Sequence, residues 1–384
     1  MSEERLVPKL RFSGFDNNYT YYKLNQLIKK ISSGKTNIKE KQANGKYPIF
    51  GSRNIIGYSN SFDYDGDYIL IARVGANAGT LYKVHGKCGV SDNTLMLETN
   101  ELINKNYLYY YLKQYNLNRL IFGSGQPLIT GKQLKKINLN IPAIKEQNKI
   151  ANFLLEIDKK IELLAQKHHK YQDFKKYLMQ QIFAQKLRFA DFADDWVECK
   201  FKDLGTVKSG VGFSNKYQGH TDLKYNVYKV SDMNLKGNEK IMNKSNNTID
   251  DEILSEMGAK LIDVPSIIFA KVGEAIFLNR KRIAKPNFLI DNNMMAFSPN
   301  KTVNLEFMYY LSTTINFGKY AQTGALPSYN ASDIYSIKCK IPSIEEQEKI
   351  VNILSLTDNK IDFCSNQIRD VLNFKKGLLQ QMFV

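Results

Sequence analysis

The chain has 384 residues, of which 43% are hydrophobic and 24% are charged. This length is enough for two domains of ordinary size, and the composition excludes a disordered or fibrous chain. The 54 Lys and Arg residues outnumber the 38 Asp and Glu residues, which gives a net charge of +16. Such a charge favours a polyanionic partner, most often nucleic acid, although an acidic protein or a membrane surface would also satisfy it.

The cysteines and the apolar runs indicate the cellular compartment of the protein. Four cysteines are scattered along the chain without metal-ligand spacing, which predicts reduced thiols rather than a disulfide framework. No apolar stretch typical of a signal peptide follows the amino terminus. The longest apolar runs, residues 68–72 and 266–270, are too short to span a bilayer. We therefore expect a cytoplasmic protein with no membrane partner.

Two globular segments have matching features in chain order. The tetrapeptide Lys-Leu-Arg-Phe occurs at residues 9–12 and again at 186–189. Short apolar runs bounded by Gly, Asn and Asp, at 67–74 and 266–272, are typical of strands. Helical periodicity appears at 106–120 and at 305–316. Each segment is therefore predicted to be a mixed α/β unit, and the strand order cannot be read from the sequence.

The strongest repeat follows each globular segment. Residues 141–183 recur without a gap at 341–383, and 19 of these 43 positions are identical. Both copies open with Ile-Pro-x-x-x-Glu-Gln, and their apolar positions alternate at spacings of four and three, the pattern of a coiled-coil seam. The predicted seam consists of Ile150, Leu154, Ile157, Ile161, Leu164, Ile350, Leu354, Ile361, Ile368 and Val371.

Both helices are expected to begin at a proline, Pro142 or Pro342, in the first turn, and Ser343 with Glu346 forms a capping-box pattern. Because neither seam can stay exposed to water, we expect the helices to pack on each other as an antiparallel coiled coil. The alternative is two separate helices, each lying on its own domain.

Two lysines occupy seam positions where apolar residues are expected. In an antiparallel pairing that puts Lys175 beside Asp358, the same register puts Lys375 beside Asp158. We hypothesise two equivalent ion pairs that fix the register of the helices. The alternative is that both lysines are exposed at the flank of the coil.

The predicted architecture is α+β, with a pseudo-twofold internal repeat. Two mixed α/β domains, at 1–141 and 186–341, are each followed by a long helix, at 142–185 and 342–384. In antiparallel helices such a tandem repeat acquires a pseudo-twofold axis, and if the polyanionic partner is duplex DNA, which has local twofold axes, each domain can meet one half-site. Because the two domains differ in sequence, the half-sites are expected to differ as well.

Two globular units of this kind, each preceded by Lys-Leu-Arg-Phe and followed by a helix opening with Ile-Pro-x-x-x-Glu-Gln, make the chain resemble the specificity subunit of type I restriction–modification enzymes. Residues 72–75, Ala-Arg-Val-Gly, and 270–273, Ala-Lys-Val-Gly, are also similar to that family. The resemblance covers essentially the whole chain.

The resemblance implies that each globular unit is a target-recognition domain that reads half of a split DNA site, while the helices set the spacing between the halves. It implies double-stranded DNA, two modification subunits and the restriction subunits as partners. The modification subunits would methylate adenine at N6 with S-adenosylmethionine, and the restriction subunits would cleave DNA using ATP and Mg. This chain would bind no cofactor itself.

No catalytic set or metal site stands out in the sequence. There is no Gly-x-x-x-x-Gly-Lys-Ser/Thr loop and no Asp/Asn-Pro-Pro-Tyr stretch. The Asp-x-Lys matches at 158–160 and 222–224 resemble nuclease sites, but this pattern is common by chance. Four histidines do not form a cluster, and His168 lies on the seam. We therefore expect a non-catalytic DNA reader.

Side chains that can address base edges lie on or beside predicted turns. Arg73 and Lys271 are the better candidates because the repeat puts both at the same strand end. Asp92-Asn93 and Asp291-Asn292 also recur, and a structural role in a turn is favoured for them. The DNA-binding candidates are Lys35, Ser52, Arg53, Asn54, Arg73, Asn77 and Gln126 in the first unit, and Lys216, Lys229, Lys271, Asn279, Arg280, Ser328, Tyr329 and Asn330 in the second.

Two other functions remain open from the sequence. The chain would be a structural adaptor if its coiled coil joined proteins while its basic surface bound nucleic acid without sequence preference. It would be a self-sufficient enzyme if the isolated chain methylated or cleaved DNA.

Overall fold

The computed structural model describes residues 7–121, 127–322 and 326–383. The chain forms two compact units. The first unit combines Met1–Lys167 with Cys364–Val384, and the second consists of His168–Phe363. Each unit therefore contains one globular domain and half of each long helix. The first unit has the amino-terminal half of the first helix and the carboxy-terminal half of the second, and the second unit has the other two halves.

The first unit is built on a six-stranded sheet with the order β2-β7-β5-β6-β3-β4, in which only the β3–β6 pair is parallel. A separate antiparallel ribbon pairs β1 with β8. The elements are β1 (Thr20–Lys23), β2 (Ile28–Ser33), β3 (Tyr47–Gly51), β4 (Asn54–Ser59), β5 (Tyr64–Ala72), β6 (Leu81–Val90), β7 (Thr94–Thr99), α1 (Lys105–Tyr115), α2 (Gly131–Lys135), β8 (Asn138–Ile141) and α3 (Ile144–Phe183).

The second unit has a five-stranded sheet, β10-β17-β14-β15-β12, a smaller sheet, β13-β11-β16, and the ribbon β18–β9. Its elements are β9 (Val197–Lys200), α4 (Phe201–Leu204), β10 (Gly205–Ser209), β11 (Tyr225–Tyr228), β12 (Ile241–Met242), β13 (Thr248–Ile249), α5 (Asp251–Glu256), β14 (Ser266–Ala270), β15 (Lys281–Ala284), β16 (Leu289–Ile290), β17 (Met294–Pro299), α6 (Leu305–Thr314), α7 (Ala331–Tyr335), β18 (Lys338–Ile341) and α8 (Ile344–Met382).

The strand runs and short helices expected from the sequence are confirmed at β5, β14, α1 and α6. The first of the two helices is shorter than its periodicity suggested. Asn116 adopts a left-handed conformation with φ 57° and ends α1, and a 3₁₀ turn over Leu117–Leu120 follows. Asparagine tolerates this conformation better than most residues, so the periodic pattern continues across a break in the helix.

The core of each unit joins the main sheet to both long helices. In the first unit, Ile150 and Leu154 of α3 are buried in one cluster with Leu378 and Met382 of α8. In the second unit, Ile350 and Leu354 of α8 are buried with Leu178 and Ile182 of α3. Asp158 lies further along α3 than this cluster and pairs with Lys375, which precedes Leu378 in α8, and Lys175 pairs with Asp358 in the same way, so the two segments run antiparallel within each unit. The expected pairing of the two helices is confirmed within each unit.

The predicted seam residues differ in burial. Ile150, Leu154, Ile157, Ile350 and Leu354 are buried, because the globular core covers them as well as the facing helix. The other predicted positions have partial exposure, because they lie further along the helices from those cores. This partly exposed group consists of Ile161, Leu164, Ile361, Ile368 and Val371.

The beginnings of the long helices differ from expectation. Pro142 and Pro342 lie two residues before the first helical residue, directly after strands β8 and β18. Ser343 supplies half of the predicted capping box, since its Oγ accepts a 3.4 Å hydrogen bond from the Glu346 backbone N–H. The carboxylate of Glu346 does not complete the box, because it pairs with Arg188 instead.

Over the described parts of the chain, none of the helices has the combination of length and hydropathy that a membrane crossing requires.

Candidate nucleic-acid interface

In the first unit, several backbone segments meet at one end of the main sheet. Strands β2 and β5 end there, and the turn between β6 and β7 closes over them. The Gly34 N–H donates to Thr94 O at 3.0 Å, and the Arg73 N–H donates to Asn93 O at 3.0 Å. We call this group, residues 33–34, 73 and 90–94, the polar end of the first sheet.

A hairpin and a loop join this polar end. The Ser91 N–H donates to Phe50 O, which brings the β3–β4 hairpin and its tip, residues 52–54, alongside. The Gly75 N–H donates to Pro127 O at 3.0 Å, and the Ile129 N–H donates to Arg73 O at 2.8 Å, so residues 127–129 lie beside Arg73. The tertiary structure therefore collects candidates that are far apart in the sequence.

The candidate side chains at this end differ in exposure and in their hydrogen-bond partners. Arg73 is partly buried, and its guanidinium donates a 2.8 Å hydrogen bond to Ser33 Oγ. Its Nε is buried and has no partner among the described residues. Lys35, Arg53 and Asn54 are exposed, and Ser52 and Asn77 are partly exposed. Gln126 lies outside the described residues.

The second unit repeats the arrangement. The Gly210 N–H donates to Met294 O at 3.1 Å, and the Lys271 N–H donates to Asn293 O at 2.8 Å. The Tyr329 N–H donates to Lys271 O at 3.0 Å, and the Gly273 N–H donates to Pro327 O at 2.8 Å. Residues 209–210, 271 and 290–294 form the polar end of the second sheet.

The candidates of the second unit fall into two groups. Lys271 and Ser328 are partly exposed at the polar end. Lys229 directly follows Tyr228, whose carbonyl accepts from the Asp291 N–H, and Lys216 lies in the 3₁₀ turn Asn215–Tyr217. Lys229 donates a 2.7 Å hydrogen bond to Gln218, and exposed Lys216 pairs with Glu256. The Lys216–Glu256 pair is exposed and therefore weak, so a phosphate can compete for Lys216.

The remaining candidates are engaged in holding the fold. Asn279 donates to Ile315 O at 3.1 Å and accepts from the Phe317 N–H at 3.0 Å. Arg280 donates to Asn234. Tyr329 has 3% exposure and packs against Phe269, and Asn330 caps α7. These contacts give the four residues structural roles that the sequence did not reveal.

The turn at the polar end is held by its own polar groups. In the second unit, Asp291 accepts hydrogen bonds from the backbone and the side chain of Asn293, each at 3.2 Å. Burial raises the pKa of the Asp291 carboxyl, and the hydrogen bonds from Asn293 partly offset this. The structural role favoured for Asp291 is confirmed. The structure also shifts the sequence match by one residue. Asn93 O accepts from the Arg73 N–H and Asn293 O accepts from the equivalent Lys271 N–H, so Asn93 is equivalent to Asn293 and not to Asn292.

Sequence reasoning missed a clamp that ties the two repeated motifs together. Arg11 donates two hydrogen bonds of 2.7 Å to Glu146, which is almost fully buried. Gln147 accepts from the Asn104 N–H at 2.8 Å and donates to Leu102 O and Pro142 O. The clamp recurs in the second unit, where Arg188 pairs with Glu346, and Gln347 holds Asn304, Thr302 and Pro342. The repetition of both motifs in the sequence is the signal that pointed to it.

The hypothesised seam ion pairs are both present. In the first unit Lys375 pairs with Asp158, and in the second Lys175 Nζ lies 2.5 Å from Asp358 Oδ1. A tyrosine completes each site, since Tyr110 and Tyr310 donate 2.6 Å hydrogen bonds to Asp158 and Asp358. Burial alone would raise the pKa of Asp158, but the hydrogen bonds from Lys375 and Tyr110 outweigh burial and lower it.

The second unit contains one lysine deep in its core. Lys281 has 1% exposure, and its ammonium donates to Asn279 Oδ1 and Ile315 O and lies 3.9 Å from the centre of the Phe317 ring. Burial lowers the pKa of Lys281 to about 7. The two hydrogen-bond acceptors and the face of the Phe317 ring stabilise the charged form of Lys281 against the cost of burial.

Within the described ranges, no group of three or more His, Cys, Asp or Glu side chains is arranged to hold a metal ion. The two Asp-x-Lys matches have other partners. Asp158 belongs to the seam site, and Lys224 forms an exposed pair with Asp251.

Comparison with known protein families identifies the family of this chain. The family model described as the type I restriction modification DNA specificity domain matches residues 17–172 and 193–373. These two matches cover most of the chain, which therefore belongs to this family as a specificity subunit of a type I restriction–modification system. The resemblance seen in the sequence is confirmed.

Several relatives are similar over most or part of their length. The MjaVIII specificity subunit of Methanocaldococcus jannaschii is 22% identical over 333 residues, which cover 81% of this chain and 77% of that protein. The EcoprrI specificity subunit of Escherichia coli is 30% identical over 121 residues, covering 32% and 30%. The crystal structure of the S subunit from M. genitalium matches with a TM-score of 0.65 at 19% identity, covering 99% of both chains. At this identity the likeness shows the fold alone.

Proposed function

We propose that this subunit reads a bipartite, asymmetric DNA site, with one half-site bound at the polar end of each sheet. Partner subunits would then methylate adenine at N6 or cleave the DNA. The observation that carries the proposal is the equivalence of the two polar ends, each with a basic side chain, Arg73 or Lys271, at the same strand end.

The chemistry of these ends fits DNA. Arginine and lysine donate to guanine O6 and N7, and backbone amides and exposed lysines hold phosphates. The two ends share their backbone framework but differ in the side chains that they present. Different half-sites follow from this difference, while the shared framework keeps both readers in the same local geometry.

Each unit also has large exposed apolar side chains at matched positions of its long helices. These are Leu163 and Phe374 in the first unit, which are 56% and 57% exposed, and Phe363 and Phe174 in the second, which are 60% and 48% exposed. One modification subunit per unit, two in all, would contact these side chains, and the restriction subunits would join that complex. A solved structure described as the structural basis of complex assembly of the type I R-M system has the same fold, with a TM-score of 0.60 at 11% identity.

This chain would be a non-catalytic, cytoplasmic component. It would bind no cofactor, and the partner subunits would bind S-adenosylmethionine, ATP and Mg. The paired helices would set the spacer between the half-sites, since their register is fixed within each unit by the Lys375–Asp158 and Lys175–Asp358 pairs.

The test is to express the chain with its modification partner and map N6-methyladenine across the genome. A new split motif, absent when the chain is omitted, is the expected result. Duplexes with one half-site scrambled should bind the assembled complex more weakly than the intact site. Equal affinity for all duplexes would support a structural adaptor instead, and methylation or cleavage by the isolated chain would support a self-sufficient enzyme.

A further inference from the structure

Two cysteines that are 140 residues apart in the sequence lie side by side in the second unit. Cys199 of β9 is directly opposite Cys339 of β18 in the antiparallel ribbon. Their Sγ atoms are 3.6 Å apart, and both thiols are free and half-buried. Directly opposite residues of an antiparallel pair have Cα atoms about 4.5 to 5.5 Å apart, within the range that a disulfide bridges.

Both thiols are reachable by a small molecule. They line an open cavity of about 770 Å³ beside the ribbon. Lys200, Lys202, Lys338 and Lys340 line the same cavity, against only two acidic residues, Glu198 and Asp203. Because the lysines outnumber the carboxylates, the cavity attracts anions.

The first unit lacks this chemistry. In its ribbon Tyr22 is paired with Leu139, and Asn138 and Asn140 lie on the strand that is equivalent to β18. Lys23 occupies the position of Lys200, so that lysine is common to both units. The facing thiols and the lysines at positions 338 and 340 belong to the second unit alone, so a role in the shared framework does not require them.

We propose that Cys199 and Cys339 form a reversible dithiol–disulfide site that reacts with an anionic, low-molecular-mass disulfide. One thiolate attacks a sulfur of the reagent, which forms a mixed disulfide and releases one thiolate. The second cysteine then attacks the protein sulfur of that mixed disulfide and releases the other thiolate. The two cysteines lose two electrons, the reagent gains them, and the two protons end on the released thiols.

The disulfide would link β9 to β18, the two strands through which the chain enters and leaves the second globular domain. Strand β18 ends at Ile341, three residues before α8 begins, and β9 precedes α4. A two-stranded ribbon is weak by itself, so a covalent link between its strands restrains the chain where it enters and leaves the globular domain.

The reaction should be slow at neutral pH. Burial raises the pKa of both the Cys199 and the Cys339 thiol. Because the thiolate is the nucleophile, the rate should rise by about tenfold per pH unit while the thiols remain protonated. The disulfide would form under oxidising conditions and would be reduced again in a reducing compartment.

The experiment treats the full-length protein with oxidised glutathione, removes the excess reagent and maps disulfides by mass spectrometry without reduction. The expected product is a peptide pair linked through Cys199 and Cys339, with a protein mass lower by about 2 Da and reversal by a reductant. At low salt, oxidised glutathione should react faster than the neutral hydroxyethyl disulfide, and added salt should reduce the difference.

Variants identify the residues. Cys199→Ser and Cys339→Ser should each abolish the internal link and leave at most a mixed disulfide on the remaining thiol. Cys88→Ser and Cys364→Ser, which change the two buried cysteines, should retain the link. Two results with the wild-type protein would overturn the proposal. Cys199 and Cys339 would stay free after prolonged treatment at pH 8, or they would form disulfides mainly between molecules.

Discussion

Arg11 and Glu146 form a bidentate ion pair through two hydrogen bonds of 2.7 Å, although 135 residues separate them in the sequence. Arg188 and Glu346 form the same pair in the second unit. The Lys-Leu-Arg-Phe and Ile-Pro-x-x-x-Glu-Gln motifs are repeated together because each supplies one half of this clamp. The clamp fixes the arm before each globular domain to the start of the helix after it.

Replacing Arg11 by alanine should destabilise the first unit. Glu146 is 1% exposed, so the substitution leaves a buried carboxylate without its charged donor. We expect the free energy of unfolding to fall by about 3 kcal/mol in urea titrations. Arg53→Ala, at an exposed hairpin tip, is the matched control and should change it by less than about 0.5 kcal/mol. Similar losses in both variants would contradict the clamp.

Reversing the Lys375–Asp158 pair tests whether it fixes the register. Lys375→Asp and Asp158→Lys should each destabilise the first unit, because each puts like charges together. The double variant should recover part of the loss, with a coupling free energy of about 1 kcal/mol or more in thermal or urea unfolding. Simple additivity would count against the contact.

The control for that cycle is an exposed pair. Lys349 Nζ lies 2.7 Å from Asp191 Oδ2, but both side chains are largely exposed. Solvent screening makes such pairs weak, so the same double reversal there should show a coupling of less than about 0.5 kcal/mol.

Gly210→Ala should damage the polar end of the second sheet. A Cβ at Gly210 would lie 1.8 Å from Asp291 O, so the backbone has to move. We expect a loss of about 2 kcal/mol or more in the free energy of unfolding, together with weaker DNA binding by the assembled complex. Gly212→Ala is the matched control, because a Cβ there meets no atom within 4 Å. Equal effects of the two substitutions would show that close backbone approach is not the cause.

Lys281 should make the stability of the second unit depend on pH. Its pKa is about 7 in the folded protein, against about 10.4 in an unfolded chain. Between these values the unfolded chain binds more protons, so stability rises with pH and is lost as pH falls toward 7, with a slope of at most about 1.4 kcal/mol per unit.

Thermal unfolding between pH 7 and 9 checks this expectation. Lys281→Met should be more stable than the wild type at pH 7 and should have a flatter pH profile. Lys285→Met, at an exposed lysine just after the same strand, should keep the profile of the wild type. An unchanged slope in Lys281→Met would show that this lysine is charged in the folded state throughout the range.

Arg73→Ala and Lys271→Ala should each affect one half-site. We expect Arg73→Ala to weaken or relax recognition of the first half-motif and Lys271→Ala that of the second, by about 1 to 3 kcal/mol each. Methylome mapping with the modification partner measures both, and each variant is the control for the other. A uniform loss across all sequences, with a lower salt slope, would instead assign phosphate contacts to these residues.

The sequence by itself determined the repeat and the two long helices, and it was enough to hypothesise their antiparallel pairing and the partners of Lys175 and Lys375. These features follow from local periodicity and from a constant offset between two copies, which a single chain displays directly. The same features were enough to indicate the family.

Only the tertiary structure decided which distant residues meet. Strand order is set by non-local backbone pairing, which leaves little trace in a sequence. That pairing brings Gly34, Arg73 and the turn before β7 to one end of a sheet. It also buries Tyr329 and Lys281 and puts Cys199 beside Cys339. Burial depends on every element that covers a residue, and for this reason the pattern around one position could not predict it.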